Sequence, residues 1–422
     1  MERFVIEGPV RLEGSVRPGG SKNTALPLMC AALLAPGKSV LRNVPHLGDV
    51  RTMMRVLETL GARCEHVDQT LTIDASDIKS LEAPYELVKT MRASVYVLGP
   101  LLARFGEARV SLPGGCAWGP RPVDLHLMGM ERLGAVIDLE HGYIHATAPA
   151  GAGLTGAEIS FKISSVGATA NVLMAAVLAR GKSIFHNAAR EPDVGALAEG
   201  LVRMGASIEG MGTGTLRIEG VDRLSPLDME VPADRIEAGT FLVAAPMTGG
   251  VVRVEGCIPE HQVALLDLLR QGGLEIEQGE DWIKVDGRRR LKALEVITAP
   301  YPGFPTDMQA QVMAACAVAD GVSIITETIY LDRFTHVAEL RRLGGKIRLD
   351  GNVAVVTGVD RLQGAPVMAT DLRASAALIL AACNAEGIST LSRIYHIDRG
   401  YERIEEKLAA LGAKIRREDE PA

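Results

Sequence analysis

The chain has 422 residues, of which 47% are hydrophobic, 23% charged and 4% aromatic, and its formal net charge is −7. That is a globular composition in a length beyond one ordinary core, which argues against disorder and for two domains or more. The acidic balance speaks against general affinity for nucleic acid, whose phosphates demand a basic face. The first residues, Met1-Glu-Arg-Phe-Val-Ile-Glu-Gly, lack the apolar segment of a secretory signal. Apolar runs such as residues 25–35 fall well short of the ~20 residues of a membrane helix. A cytoplasmic protein without a membrane partner is expected.

In chain order, residues 2–18 alternate like the hairpin that ends a repeat and are expected to complete the last one. Gly19 and Gly20 lead into an Ala-rich helix at 23–34, apolar nearly all round and therefore buried on all sides. Pro36 and Gly37 hand over to a strand, and an amphipathic helix at 50–60 ends in Leu60-Gly-Ala-Arg-Cys-Glu, a glycine turn and a short strand. The same phrase returns from Leu133, Met204, Gly272, Leu343 and Leu411, at intervals of 68 to 73 residues. A period held over a whole chain means one supersecondary unit copied six times. Ala-rich helices recur with it at 92–103, 167–179, 237–245, 308–319 and 373–382, and the last amphipathic helix is 402–411. The lack of polar capping repeats favours closed rings over an open solenoid. The expected fold is α/β: six repeats of about 70 residues in two similar domains of three, helices inside and sheets outside. One domain spans 22–230 and the other 1–21 plus 231–422.

The Ala-rich helices begin on polar residues: Ser21-Lys22-Asn23, Lys89-Thr-Met-Arg92, Ser164-Ser165, Asp234-Arg235, Thr306-Asp307 and Asp371-Leu-Arg373. Helix N-termini carry free N–H groups and partial positive charge. Lys22, Arg92, Arg373 and the loop residues Arg121, Arg333 and Arg399 add full charges, so a small polyanionic ligand is expected. Plainer readings compete: Thr306-Asp-Met-Gln309 fits a capping box, and Arg373 and Arg399 fit ordinary ion pairs. No P-loop is present, and Met211-Gly-Thr-Gly-Thr reads as a hairpin turn. Of six cysteines none forms a CxxC pair, and His141 and His145 lack ligand partners, so no metal site is expected. Cys30, Cys316 and Cys383 read as small buried hydrophobes. Cys116 differs, because Leu112-Pro-Gly-Gly-Cys116-Ala-Trp-Gly-Pro-Arg121 is a Gly/Pro loop with a cation five residues from the thiol, a pattern that favours the thiolate.

Pro113-Gly-Gly-Cys-Ala-Trp-Gly-Pro-Arg-Pro-Val-Asp-Leu-His126 resembles the signature loop of the UDP-N-acetylglucosamine enolpyruvyl transferase family. Gly20-Ser-Lys-Asn23, Lys89-Thr-Met-Arg-Ala-Ser94, Ser165-Val-Gly-Ala-Thr169, Phe304-Pro-Thr-Asp-Met-Gln309, Thr370-Asp-Leu-Arg-Ala-Ser375 and Ile397-Asp-Arg-Gly-Tyr-Glu-Arg403 are similar to the same family, in order, over residues 1 to about 417. The resemblance implies two inside-out α/β barrels of three repeats each. It also implies transfer of enolpyruvate from phosphoenolpyruvate to the 3′-hydroxyl of UDP-N-acetylglucosamine in cell-wall synthesis, without a cofactor. By the same resemblance Cys116 is the proton donor, able to form a covalent adduct with the substrate, and Asp307 is the base. Lys22, Asn23, Arg121 and Arg399 hold phosphoenolpyruvate. Arg92, Arg121, Pro122, Val123, Asp124, Leu125, Ser165, Val166, Gly167, Ile329 and Arg333 contact substrate, and Asp371 and Arg373 assist domain closure. Some members place a lysine two residues before the Ser-Val-Gly-Ala-Thr string. Here Lys162 stands three before Ser165, and its contact with uridine diphosphate stays open, as does the oligomeric state. The sister family that uses shikimate 3-phosphate lacks the Cys116 loop, and a non-catalytic paralogue would have lost Cys116, Asp307 or Lys22.

Overall fold

The computed structural model describes residues 2–112 and 123–420, so Cys116, Arg121 and Pro122 lie outside the described residues. The chain forms two compact units, residues 20–232 and residues 1–19 with 233–422. Three Ala-rich helices fill the interior of each. In the first unit they are α1 (Lys22–Ala31), α2 (Leu98–Phe105) and α3 (Val166–Ala176). In the second they are α4 (Arg235–Thr248), α5 (Gln309–Cys316) and α6 (Leu372–Asn384). Every residue of α5 is buried, as is α4 from Ile236 to Met247, which is why these segments carry no polar face.

Outside the helices the described residues form six four-stranded sheets, each of three antiparallel strands plus one parallel strand borrowed from the neighbouring repeat. In the first unit Glu82–Ala83 runs parallel to Glu107–Ser111, and Glu158–Ser160 parallel to Lys182–His186. Asp228–Glu230 then returns to Lys38–Arg42, so the third repeat closes on the first. The second unit closes in the same way, but its ring is cut inside a hairpin. The strand β1 (Glu2–Gly8) lies between Gly387–Ser392 and Lys414–Asp419, while β2 (Glu13–Val16) runs parallel to Val251–Glu255. Residues 2–18 therefore serve two sheets and not the last repeat alone. Pro9, with no N–H to give a ladder, ends β1, and buried Leu12 carries the chain across to the next sheet.

The repeated phrase has a backbone cause. Gly61, Gly134, Gly205, Gly273, Gly344 and Gly412 all take positive φ between 84° and 111°, the left-handed cap that only glycine adopts without strain. A second glycine position is set by close approach: a Cβ on Gly220 would lie 1.6 Å from the carbonyl oxygen of Ala179, and one on Gly358 1.8 Å from that of Ala319. Gly220→Ala is expected to destabilise its unit by about 2–3 kcal/mol. That corresponds to a fall in Tm of roughly 4–12 °C; an unchanged melt would mean that the strand and the helix end do not meet this closely. Among the described residues no helix is long and apolar enough to cross a membrane.

Candidate active site

In the first unit the polar residues at the helix starts form a hydrogen-bonded frame. Ser21 caps α1, its Oγ accepting from Thr24 N–H at 3.2 Å and donating to Asp193 Oδ1 at 2.8 Å, and Thr24 Oγ1 donates to the same oxygen at 2.7 Å. Lys22 is buried with its Nζ 3.0 Å from Asp49 Oδ2, and Asn23 beside it is half-buried. Asp49 sits in the first turn of the helix Gly48–Leu60 and Asp193 in that of Pro192–Arg203, where a carboxylate suits the helix dipole. Sequence reading began the first of these helices at residue 50 and passed over both acids.

Arg92 opens the 3-10 turn Arg92–Val97, and Ser165 caps α3, which begins with Val166 and Gly167. Val123 is buried, Asp124 exposed and Leu125 half-buried at the start of the helix Asp124–Arg132. His126, 4% exposed, ties these three segments together. Asn171 of α3 donates from Nδ2 to Val95 O at 2.9 Å and to His126 Nδ1 at 3.1 Å. Burial, with the Arg92 charge adding to it, pushes the His126 imidazole down to about 3, so the ring is neutral. Lys162 lies exposed before this turn.

In the second unit Asp307 lies on the 3-10 turn Thr306–Met308 ahead of α5. The capping box expected there does not form, because the turn has no side-chain cap. Thr306 Oγ1 instead donates to Glu327 Oε2 at 2.9 Å and accepts from Arg333 Nη1 at 3.0 Å. Glu327 is fully buried; its Oε1 accepts from Thr298 Oγ1 and from the N–H groups of Ile329 and Tyr330, all within 2.9 Å. It thereby holds the loop that presents Ile329 to solvent and turns Arg333 inward. No motif marked this glutamate in the sequence.

Two guanidiniums clamp Asp307. Arg333 Nη1 is 2.7 Å from Oδ1, and Arg373 approaches Oδ2 with Nη2 at 3.0 Å and Nε at 3.1 Å. Burial alone would raise the Asp307 proton affinity, but the charges of Arg333, Arg373 and Arg235 outweigh it and hold the carboxyl well below the usual range. Arg373, only 2% exposed, also lies over the Tyr401 ring, 5.5 Å from its centroid. The Tyr401 hydroxyl in turn bonds Thr240 Oγ1 at 2.9 Å and Gln311 Nε2 at 3.2 Å. Asp371 caps α6 through the N–H groups of Arg373 and Ala374. His336 is fully buried nearby; burial pushes it down to about 4, with Asp371 opposing and Arg333 adding to the effect. Arg399, half-buried, ends the turn Ile394–Arg399. Among the described residues no cluster of His, Cys, Asp or Glu is arranged to hold a metal.

Comparison with known proteins gives this frame a lineage. The model of the EPSP synthase (3-phosphoshikimate 1-carboxyvinyltransferase) family matches residues 6–408. Relatives from Trichlorobacter lovleyi and Anaeromyxobacter sp. are 55% and 56% identical, the first over 100% of both chains and the second over 99% of this chain and 100% of its own. A third, from Geobacter metallireducens, is 54% identical over 99% of each chain. All three are named UDP-N-acetylglucosamine 1-carboxyvinyltransferase. Among solved structures, the enolpyruvyl transferase NikO from Streptomyces tendae has a TM-score of 0.87 at 28% identity, covering 100% of this chain and 99% of that one. EPSP synthase from Acinetobacter baumannii shares the fold, with a TM-score of 0.77 at 18% identity over 99% of this chain and 100% of its own. The α/β fold is thus the two-domain inside-out barrel of enolpyruvyl transferases, and the chain belongs to the EPSP synthase family, grouping with its UDP-N-acetylglucosamine 1-carboxyvinyltransferase members.

Proposed function

We propose that the protein transfers enolpyruvate from phosphoenolpyruvate to the 3′-hydroxyl of UDP-N-acetylglucosamine, releasing phosphate, as a cytoplasmic enzyme of the first committed step of peptidoglycan synthesis. The observation that carries this reading is the 54–56% identity to relatives so named, over essentially their whole length. The chemistry needs no cofactor. C3 of the enol gains a proton, the sugar hydroxyl loses one and bonds C2, and C3 then gives up a proton as the C2–O bond to phosphate breaks. A general acid, a general base and cations for the departing phosphate suffice.

Cys116 is the acid at C3 and the atom able to hold C2 as a covalent adduct. Lys22, Asn23, Arg121 and Arg399 hold the anions of phosphoenolpyruvate. Arg92, the run from Arg121 to Leu125, Ser165 to Gly167, and Ile329 hold the sugar nucleotide, and Asp371 and Arg373 support closure. Asp307 is the base at the sugar hydroxyl, although between two guanidiniums a carboxylate is a weak one. A substrate anion that engages Arg333 takes positive charge from Asp307 and lets its proton affinity rise where it is needed.

A pH profile follows. The folded Asp307 has its proton affinity depressed, so its ion-pair stabilisation is fully present above about pH 4, the unfolded value, and is lost only as pH falls below that. In the free enzyme Asp307 therefore stays ionised throughout pH 5–9 and contributes no acid limb to kcat/KM there. An acid limb above pH 5 that vanishes in Asp307→Asn would contradict this.

The reaction itself is tested by measuring phosphate release with each substrate alone and with both. Release that requires UDP-N-acetylglucosamine and phosphoenolpyruvate together supports the reading. Release with shikimate 3-phosphate as the sole acceptor would assign the sister reaction, and tight nucleotide binding without release would assign a non-catalytic paralogue.

A further inference from the structure

Glu327 has no part in the chemistry given above, yet both its oxygens are committed, and to different segments. Oε1 takes three donors: the Thr298 hydroxyl at 2.8 Å, the Ile329 N–H at 2.8 Å and the Tyr330 N–H at 2.9 Å. Thr298 Oγ1 itself accepts from the Thr328 N–H at 2.8 Å, so its single proton is the one that Glu327 receives. Oε2 takes one donor, the Thr306 hydroxyl at 2.9 Å. The main chain is fixed as well, since the Glu327 N–H donates to Asn352 O and Asn352 Nδ2 to Glu327 O, each at 2.9 Å. The Oε2 contact decides the next link. A threonine hydroxyl has one proton, and with that proton given to Glu327 only lone pairs remain for Arg333. Arg333 Nη1 meets them at 3.0 Å, and the same nitrogen lies 2.7 Å from Asp307 Oδ1. Its two N–H groups are thus divided between Thr306 and Asp307, which fixes the plane of the guanidinium against the proposed base. Turned round, the hydroxyl would set its proton against the guanidinium, donor facing donor.

We infer that Glu327 is a positioning residue for the transfer reaction: as an acceptor at Oε2 it orients the Thr306 hydroxyl, and through it holds Arg333 in register with Asp307. This rests on the proposed function and adds to it a group that acts only through its neighbours. The two oxygens divide the task. Oε1 keeps the loop of Ile329 in place for binding, and Oε2 sets the Arg333–Asp307 pair for turnover.

Glutamine separates the two oxygens. In Glu327→Gln the carbonyl oxygen stays with the three donors, because an NH2 group cannot accept from them, and the amide nitrogen then faces Thr306 and donates to it. The Thr306 proton loses its acceptor while the Ile329 loop stays held. Steady-state kinetics on the full chain, with melting temperatures alongside, should show kcat lowered roughly tenfold. The KM for UDP-N-acetylglucosamine should stay within about threefold of the parent. Thr306→Val removes the link and should lose a similar factor in kcat, and Thr306→Ser, which restores the hydroxyl, should recover most of it. Because Glu327 acts through Thr306, adding Glu327→Gln to Thr306→Val should cost no more than about threefold beyond Thr306→Val alone. Parent-like kcat in Glu327→Gln, or losses that multiply in the double variant, would overturn the inference and leave Glu327 as an anchor of the loop. A raised KM with kcat unchanged would do the same. If Glu327→Gln does not fold, the Thr306 pair decides: a slow valine variant rescued by serine supports the role, and equal rates overturn it. A parent that releases no phosphate from its two substrates would overturn the proposed function, and this role with it.

Discussion

Asp307→Asn is expected to lower turnover by roughly a thousandfold, inside the range for loss of a general base, and to destabilise the second unit by about 2–4 kcal/mol. Asparagine keeps the shape and one acceptor oxygen but leaves Arg373, 2% exposed, facing an amide where a carboxylate stood. Arg333 is less affected because more of it reaches solvent. The two losses are separable. Adding Arg373→Met removes the stranded charge, so the double variant should regain most of the lost stability while turnover stays low, a positive coupling that a double-mutant cycle reads directly. Sugar-nucleotide affinity in Asp307→Asn should remain near that of the parent. A turnover within a few-fold of the parent would leave Asp307 as an ion-pair partner only, and an unchanged melt would mean that the Arg373 charge is met by other groups.

Cys116→Ser should be as severe, with a loss of roughly 10²–10⁴ in turnover, because a hydroxyl is a far weaker acid than a thiol. The second readout is covalent: an epoxide shaped like phosphoenolpyruvate, of the fosfomycin type, should add once to the parent chain and not at all to the variant. The described cysteines explain why. Burial pushes the thiols of Cys64, Cys316 and Cys383 up to about 12 and that of Cys257 up to about 11, and raises that of Cys30 as well. None of these five supplies thiolate at neutral pH, so they remain inert. Intact mass after exposure decides the matter: an adduct on the variant, or none on the parent, would remove Cys116 from its role.

The repeat was readable because it is written in residues with no substitute. A left-handed cap needs glycine, and a helix buried on all sides cannot hide charges along its body, so Gly61 and its five counterparts and the Ala-rich runs mark the period by themselves. The charged helix starts were legible for the same reason, since Lys22, Arg92, Asp307 and Arg373 stand out against apolar bodies. Their partners were not. Asp49 lies 27 residues from Lys22 and Asp193 lies 172 from Ser21, and each looks like an ordinary acid in a first helical turn. Glu327 sits at the end of a strand with no motif around it, yet it captured the Thr306 hydroxyl and so cancelled the capping box that local spacing suggested. The partner of His126 is an amide 45 residues away, Asn171, and such information enters only with the packing.

The cut in the second ring sets an order on biosynthesis. The unit of residues 20–232 is continuous and has all its strands once the third repeat has left the ribosome. The strand β1 is made well before its partners Gly387–Ser392 and Lys414–Asp419, roughly 400 residues further along the chain. At the usual 5–20 residues per second it waits roughly 20–80 s for its neighbours. Throughout that time Phe4, Val5 and Ile6, later buried, have no sheet to join. The growing chain therefore carries an unpaired apolar strand from the synthesis of Phe4, Val5 and Ile6 until that of Gly387–Ser392 and Lys414–Asp419, a natural holding site for a chaperone. Joining the ends across the Glu2–Asp419 pair and reopening the ring at another hairpin would bring partner strands closer in time while leaving the finished barrel unchanged.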